Sequence, residues 1–96
     1  MRVASERMHN FYEQFTAAAI RFPDRPAIEV QRRERVDSFT YRRLETMATR
    51  MAAWLAARGV SRGDRCAILA ENDAHWCGAY LGVLRLGAVA VPLDTA

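Results

Sequence analysis

Between Gly59 and Asp94 the chain reads GVSRGDRCAILAENDAHWCGAYLGVLRLGAVAVPLD, two apolar segments bracketing a helical one. Cys66, Ala67, Ile68, Leu69 and Ala70 follow one another without polar alternation. Such a run predicts a strand over Arg65–Ala70 covered on both faces, as in a parallel sheet. Asp73 is placed to cap a helix reaching Leu86, and Gly87 to end it. Ala88–Val91 then predicts a second, parallel strand before Pro92. A parallel pair needs a crossover, so this stretch commits the chain to the α/β class. The helix is apolar over a wide surface, with Trp76, Tyr80 and Val83 on one side and Cys77, Leu81 and Leu84 beside them. It therefore expects cover from more than this sheet. Gly78 and Gly82, four apart, strip bulk from one stripe and predict close approach of a neighbouring helix.

Upstream, Met8, Phe11, Phe15, Ala18 or Ala19, and Phe22 recur at helical spacing. They predict a first helix that Pro23 ends. Ala27–Val30 and Val36–Thr40 flank a charged segment of Arg32, Arg33, Glu34 and Arg35, with Asp37 beyond it. They read as a β-hairpin whose arginine-rich tip lacks glycine or asparagine. Thr40 then caps a second helix with Leu44, Met47, Ala48, Met51, Trp54 and Leu55 as its apolar stripe. Arg43 stands where a capping box would place Glu. Gly59 supplies the left-handed residue that ends this helix, with Val60 packing back on it. Ser61–Asp64 is a tight turn, and its Arg62-Gly63-Asp64 tripeptide is read as that turn rather than as an adhesion motif.

Ninety-six residues make one small domain or part of a larger one. All 14 basic residues are Arg and the formal net charge is +3. We read the missing Lys as compositional bias; its one consequence is that this chain cannot supply an amine nucleophile or a phosphate-loop Lys. Arg32, Arg33 and Arg35 cluster with Glu34 and Asp37 at the hairpin turn, Arg42 and Arg43 open a helix, and the others are scattered. No RNP-like aromatic, zinc-finger or helix-turn-helix pattern accompanies them, so a solvated surface and no nucleic-acid partner are expected. Cys66 and Cys77 sit in apolar runs without a CxxC and are read as reduced thiols. His9 and His75 lack partners at metal spacing. Ser5, Ser38 and Ser61 have no triad partners. Trp76 and Tyr80 are read as core rather than as a ligand pocket. The loop after Ala70 is Glu71-Asn72-Asp73, without the glycine that phosphate-binding loops require. With no apolar leader and no run of membrane-spanning length, a cytoplasmic protein without a transmembrane segment is expected.

The run from Thr40 to Asp94 resembles the N-terminal part of the adenylate-forming enzymes: acyl-CoA synthetases, peptide-synthetase adenylation domains and luciferases. Phe22-Pro23-Asp24-Arg25-Pro26-Ala27, Phe39-Thr40-Tyr41 with Leu44, Gly59 to Leu69, Glu71-Asn72, and Gly87 to Leu93 follow the family's order and spacing. The resemblance covers Asn10 to the end, and the last 26 residues are most similar to the fatty-acyl-CoA ligase branch. It implies the first portion of that family's large domain: helix, β-hairpin, helix and parallel βαβ unit, with residues 1–96 incomplete as a domain. It also implies that the parent joins a carboxylate to ATP, releases pyrophosphate, and passes the acyl group to CoA, with magnesium. The family's phosphate loop, Thr-Glu pair, ribose-binding Asp and C-terminal Lys match nothing here. No catalytic, cofactor-binding or metal residue is therefore assigned, no cofactor is expected in the fragment, and the expected partner is the remainder of the adenylation domain. The other reading kept open is a self-contained small α/β module that binds a partner and catalyses nothing. The uncovered strand at Ala88–Val91 favours the fragment.

Overall fold

The computed structural model describes residues 11–70 and 73–93. The elements run α1 (Phe11–Arg21), β1 (Pro26–Gln31), β2 (Val36–Thr40), α2 (Tyr41–Ala57), β3 (Arg65–Ile68), α3 (Ala74–Arg85) and β4 (Val89–Pro92). This is the predicted order of helix, hairpin, helix and parallel βαβ unit. The strands form two separate pairs, antiparallel β1–β2 and parallel β3–β4. Met8, His9, the Glu71-Asn72 loop and Asp94 lie outside the described residues.

α1 ends at Arg21, as Pro23 requires, but its buried face differs from the expected stripe. Tyr12, Phe15 and Ala19 are buried, whereas Phe11 is 57% exposed. Tyr12 turns inward because its hydroxyl has a partner, accepting a hydrogen bond from Arg85 at 2.9 Å. Phe11 instead meets Tyr80 edge-on, with ring centroids 6.4 Å apart.

The hairpin pairs Ile28 with Phe39 and Gln31 with Val36, with a register irregularity between Pro26 and Ile28. Its tip needs neither glycine nor asparagine, because no residue there has positive φ. Arg32 N–H donates to the Arg35 carbonyl at 2.7 Å, and the Asp37 carboxylate accepts from both Arg32 (3.0 Å) and Arg35 (2.8 Å).

The start of α2 shows how a helix dispenses with a capping box. The Thr40 hydroxyl accepts from the Arg43 N–H at 3.1 Å. The Tyr41 and Arg42 N–H groups donate to the carbonyls of Arg25 (3.1 Å) and Pro23 (2.9 Å). The turn preceding the hairpin thus satisfies donors that a Glu side chain would otherwise share. At the other end Gly59 has φ +91°, Gly59 N–H donates to Ala56 and Val60 N–H to Leu55. That pair of bonds is a Schellman motif. Gly87, at φ +77°, repeats it after α3, with Gly87 N–H on Leu84 and Ala88 N–H on Val83.

Two apolar clusters hold these elements. Tyr12, Phe15, Leu44, Ala48 and Leu81 join α1, α2 and α3, with the hairpin residues Ala27 and Ile28 packed against them. Ile68, Val83 and Ala88 join α3 to the parallel pair. α2 and α3 approach closely along the predicted glycine stripe. A Cβ on Gly82 would stand 2.7 Å from Met51 Cβ and 3.0 Å from the Ala48 carbonyl oxygen, and one on Gly78 would stand 3.0 Å from Met47 Cβ.

Two further expectations fail. Trp54 is not part of the α2 stripe but 52% exposed. The predicted strand Arg65–Ala70 stops at Ile68 and is covered on one face only, leaving Leu69 65% exposed. β4 likewise runs Val89–Pro92, with Val89 and Val91 outward. Continuous apolarity anticipates cover on both faces, and within the described residues only α3 and the chain packed with it supply any.

Candidate functional site

One concavity of the molecule lies where β1 faces the first turns of α3. Asp73 caps α3 by accepting from the His75 and Trp76 N–H groups at 3.0 and 3.1 Å, which aims Trp76 and Cys77 toward the hairpin. An open cleft of ≈ 520 Å³ results, lined by Ile28, Glu29, Val30, Gln31, Asp73, Trp76 and Cys77. A deeper apolar hollow of ≈ 350 Å³ shares Ile28, Trp76 and Cys77 and adds Phe15, Tyr41 and Tyr80, among others. Trp76 and Tyr80 stack nearly parallel, 5.4 Å between centroids and 9° between planes. They pack against the Ile68–Val83–Ala88 cluster, as their core reading requires, and Trp76 also forms the wall of the cleft.

The chemistry available there is limited. The Asp73 carboxylate is committed to two backbone donors, and the His75 ring nitrogen lies 4.0 Å from it on an exposed side chain. Burial, reinforced by the Asp73 carboxylate, pushes the Cys77 thiol up, so it stays protonated at neutral pH and is a weak nucleophile. Ser61 Oγ bonds Asp64 at 3.3 Å, and among the described residues no hydrogen bond links Ser61 to a histidine. Among the described residues no three of His, Cys, Asp and Glu converge as a metal site would require. The cleft lining combines the apolar Ile28, Val30, Trp76 and Cys77 with the polar Glu29, Gln31 and Asp73.

The arginines are largely occupied by the fold. Arg32 and Arg35 hold Asp37, and Arg42 holds Asp24 at 3.1 Å. Arg25 lies over Phe22, Arg43 over Phe39 and Arg58 over Trp54. The Asp37 carboxyl is held below the ordinary range by its hydrogen bonds to Arg35 and then Arg32. The Arg62-Gly63-Asp64 tripeptide is the turn anticipated for it. Gly63 has φ +86°, its N–H donates to the Gly87 carbonyl, and the Asp64 carboxylate accepts from the Ser61 N–H at 2.8 Å. The pairing of exposed Trp54 with Arg58 escaped the sequence reading, although their four-residue separation is its signal. No helix among the described residues is long and apolar enough to cross a membrane.

With this geometry in hand, known proteins place the chain. Residues 15–96 match the family described as AMP-binding enzyme. A long-chain-fatty-acid–CoA ligase of Mycobacterium tuberculosis is 43% identical over 56 residues, covering 58% of this chain and 11% of the ligase. Surfactin synthase subunit 1 of Bacillus subtilis is 36% identical over 83 residues, 86% of this chain and 2% of that protein. The similarity therefore extends to both CoA ligases and peptide-synthetase subunits. Among solved structures, fatty acyl-adenylate ligase from L. pneumophila, in complex with acyl adenylate and pyrophosphate, superposes on 97% of this chain. The TM-score is 0.84 at 26% identity, and the overlap is 17% of that chain. The N-terminal domain of FACL13 from Mycobacterium tuberculosis superposes on 92% of this chain and 22% of its own, with TM-score 0.77 and 30% identity. The chain spans about a tenth of the length of the mycobacterial ligase (11%). By residues and by architecture alike, the chain belongs to the AMP-binding, adenylate-forming enzyme family and corresponds to the N-terminal part of its large domain.

Proposed function

We propose that residues 1–96 are the opening portion of one adenylation domain in an AMP-forming acyl-CoA synthetase of the fatty-acid branch. In this reading the parent, in the cytoplasm, condenses a carboxylate with ATP and magnesium, releases pyrophosphate and transfers the acyl group to CoA. The portion described here supplies scaffold and carries no catalytic, nucleotide-binding or metal-binding side chain. One observation supports this most: the family match from residue 15 to residue 96 coincides with a superposition over nearly the whole chain. The apolar outer face of β3–β4 agrees with it, being a surface that the rest of such a domain would cover.

Carboxylate-dependent ATP–pyrophosphate exchange tests the reading in two settings. The isolated chain should give no exchange above a no-protein blank with fatty, aryl or amino acids. A chimera in which this chain replaces the matching segment of the mycobacterial long-chain ligase should keep exchange within about tenfold of the unaltered ligase. Exchange by the isolated chain, or a folded chimera without exchange, would overturn the scaffold role. The substrate branch is tested on the parent: preference for hydroxybenzoates or amino acids over long-chain fatty acids would refute the fatty-acid assignment.

A further inference from the structure

The outward side of α2 differs in kind from the open sheet. Arg43, Met47, Arg50, Trp54 and Arg58 follow at spacings of four, three, four and four residues, forming one ridge along the helix. Beside it runs a groove of ≈ 340 Å³ lined by Met47, Arg50, Met51, Trp54, His75, Gly78 and Ala79. The small residues of α3 make its floor and the methionines and Trp54 its walls. The Arg58 guanidinium carbon lies over the Trp54 ring, 3.7 Å from the centroid, and Arg58 donates to the Trp54 carbonyl at 3.2 Å, fixing a half-exposed indole in place. Trp, Met and Arg together are the side chains enriched where proteins meet.

We propose that this groove docks an acidic amphipathic helix of a partner protein. The charges point to that chemistry. Arg43, Arg50 and Arg58 are exposed, and among the described residues none of them is ion-paired. Among the described residues the nearby carboxylates are Glu45, in the adjoining hollow with Arg42 and Arg50, and Asp73, committed to backbone donors. An apolar layer closing over these guanidiniums would leave buried charges uncompensated, so the cover must bring carboxylates. The three arginines are seven and eight residues apart, about 10–12 Å along the axis at 1.5 Å per residue. Carboxylates two turns apart on a docked helix meet them, and an apolar residue between those carboxylates enters the groove at Met47, Met51 and Trp54.

The test uses fluorescence anisotropy of a labelled helical peptide of about 18 residues, with Leu on one face and Glu flanking it. Saturable binding to the 96-residue chain is expected. Arg50→Glu and Trp54→Ala should each weaken it about tenfold or more. Arg33→Glu, which removes the same charge at the hairpin tip, should change it less than about twofold. Circular dichroism of each variant separates lost docking from lost folding. The proposal fails if no saturable binding occurs, or if Arg33→Glu weakens binding as much as Arg50→Glu. It also fails if phosphatidylglycerol vesicles, but not the peptide, engage the chain through Trp54, or if the chain forms a dimer that occupies the groove. Peptide binding to the isolated chain that vanishes in the folded ligase chimera would assign the groove to the domain's own remainder and overturn the partner.

Discussion

The two halves of this chain are built to different degrees of closure. In the first, α1, the hairpin, α2 and α3 surround Tyr12, Phe15, Leu44, Ala48 and Leu81. The ends of α2 and α3 are capped by side chains, turns or glycine, and Phe11, Ile20, Val36 and Trp54 stay exposed around this shared core. In the second, β3 and β4 pack one face on α3 through Ile68, Val83 and Ala88, while Leu69, Val89, Val91 and Leu93 face outward. Both halves have apolar sequences, so hydrophobicity alone does not distinguish them. The difference lies in how much chain is available to cover each face. A face closed by its own chain needs no further cover, whereas an open parallel pair keeps apolar surface that calls for more.

The largest expected contrast comes from truncating one side chain in each half. Phe15→Ala, at a position 7% exposed, should cost about 3–5 kcal/mol in urea unfolding. Leu69→Ala, at 65% exposure, should cost less than about 0.5 kcal/mol in the isolated chain. In the ligase chimera Leu69→Ala should become markedly more costly; an equally small loss there would break the contrast.

The helix contact within the closed half gives the next effect. Gly82→Ala places a methyl 2.7 Å from Met51 Cβ and 3.0 Å from the Ala48 carbonyl oxygen, which is backbone and cannot swing away. The overpacking should outweigh the helix-propensity gain of about 1 kcal/mol and destabilise by a net 1–2 kcal/mol, roughly. Gly78→Ala meets Met47 Cβ at 3.0 Å and its flexible methyl at 3.2 Å, so it should be much milder. Thermal unfolding that ranked Gly78→Ala as the more damaging would refute this packing.

Caps come third. Thr40→Ala should lose about 1 kcal/mol, since the neighbouring Tyr41 and Arg42 donors keep their carbonyl partners. Asp73→Ala should lose at least as much, because its carboxylate serves two donors.

The smallest effect is electrostatic. The Asp37 carboxyl is lowered in the folded chain, so its contribution is present above the ordinary carboxylate value of about 3.9 and is lost as pH falls through the lower folded value. Both partners are exposed and the effect on stability is correspondingly slight. Arg35→Ala should move the Asp37 titration, followed by carboxyl-carbon NMR, back toward the ordinary range. An unmoved titration would deny the pairing.

What could be read before the structure follows the same division. Element order was legible because Pro23, Thr40, Gly59, Asp73 and Gly87 each impose a local conformation whatever surrounds them. The close α2–α3 contact was legible from Gly78 and Gly82, whose missing side chains matter only if something approaches. The face of α1 was not, because the choice of Tyr12 over Phe11 depends on Arg85, seventy-three positions away. Trp54 was misplaced since helical spacing cannot tell an aromatic in the core from one held outside by a stacked Arg58. The uncovered outer face of β3 was likewise hidden, for an apolar strand states what it needs and not whether the chain provides it. At the cleft, Trp76 was visible as an aromatic on α3, but its position against Ile28 on β1 required the tertiary fold.

Backbone hydrogen exchange of β3–β4, measured in the isolated chain and in the ligase chimera, separates the closed half from the open one. In the isolated chain the amides of Ala90 and Val91 should exchange much faster than those of Leu44–Ala52. In the chimera they should slow to the rate of global unfolding. Equal protection of both halves in the isolated chain, or β4 amides that stay fast in a folded chimera, would contradict that division.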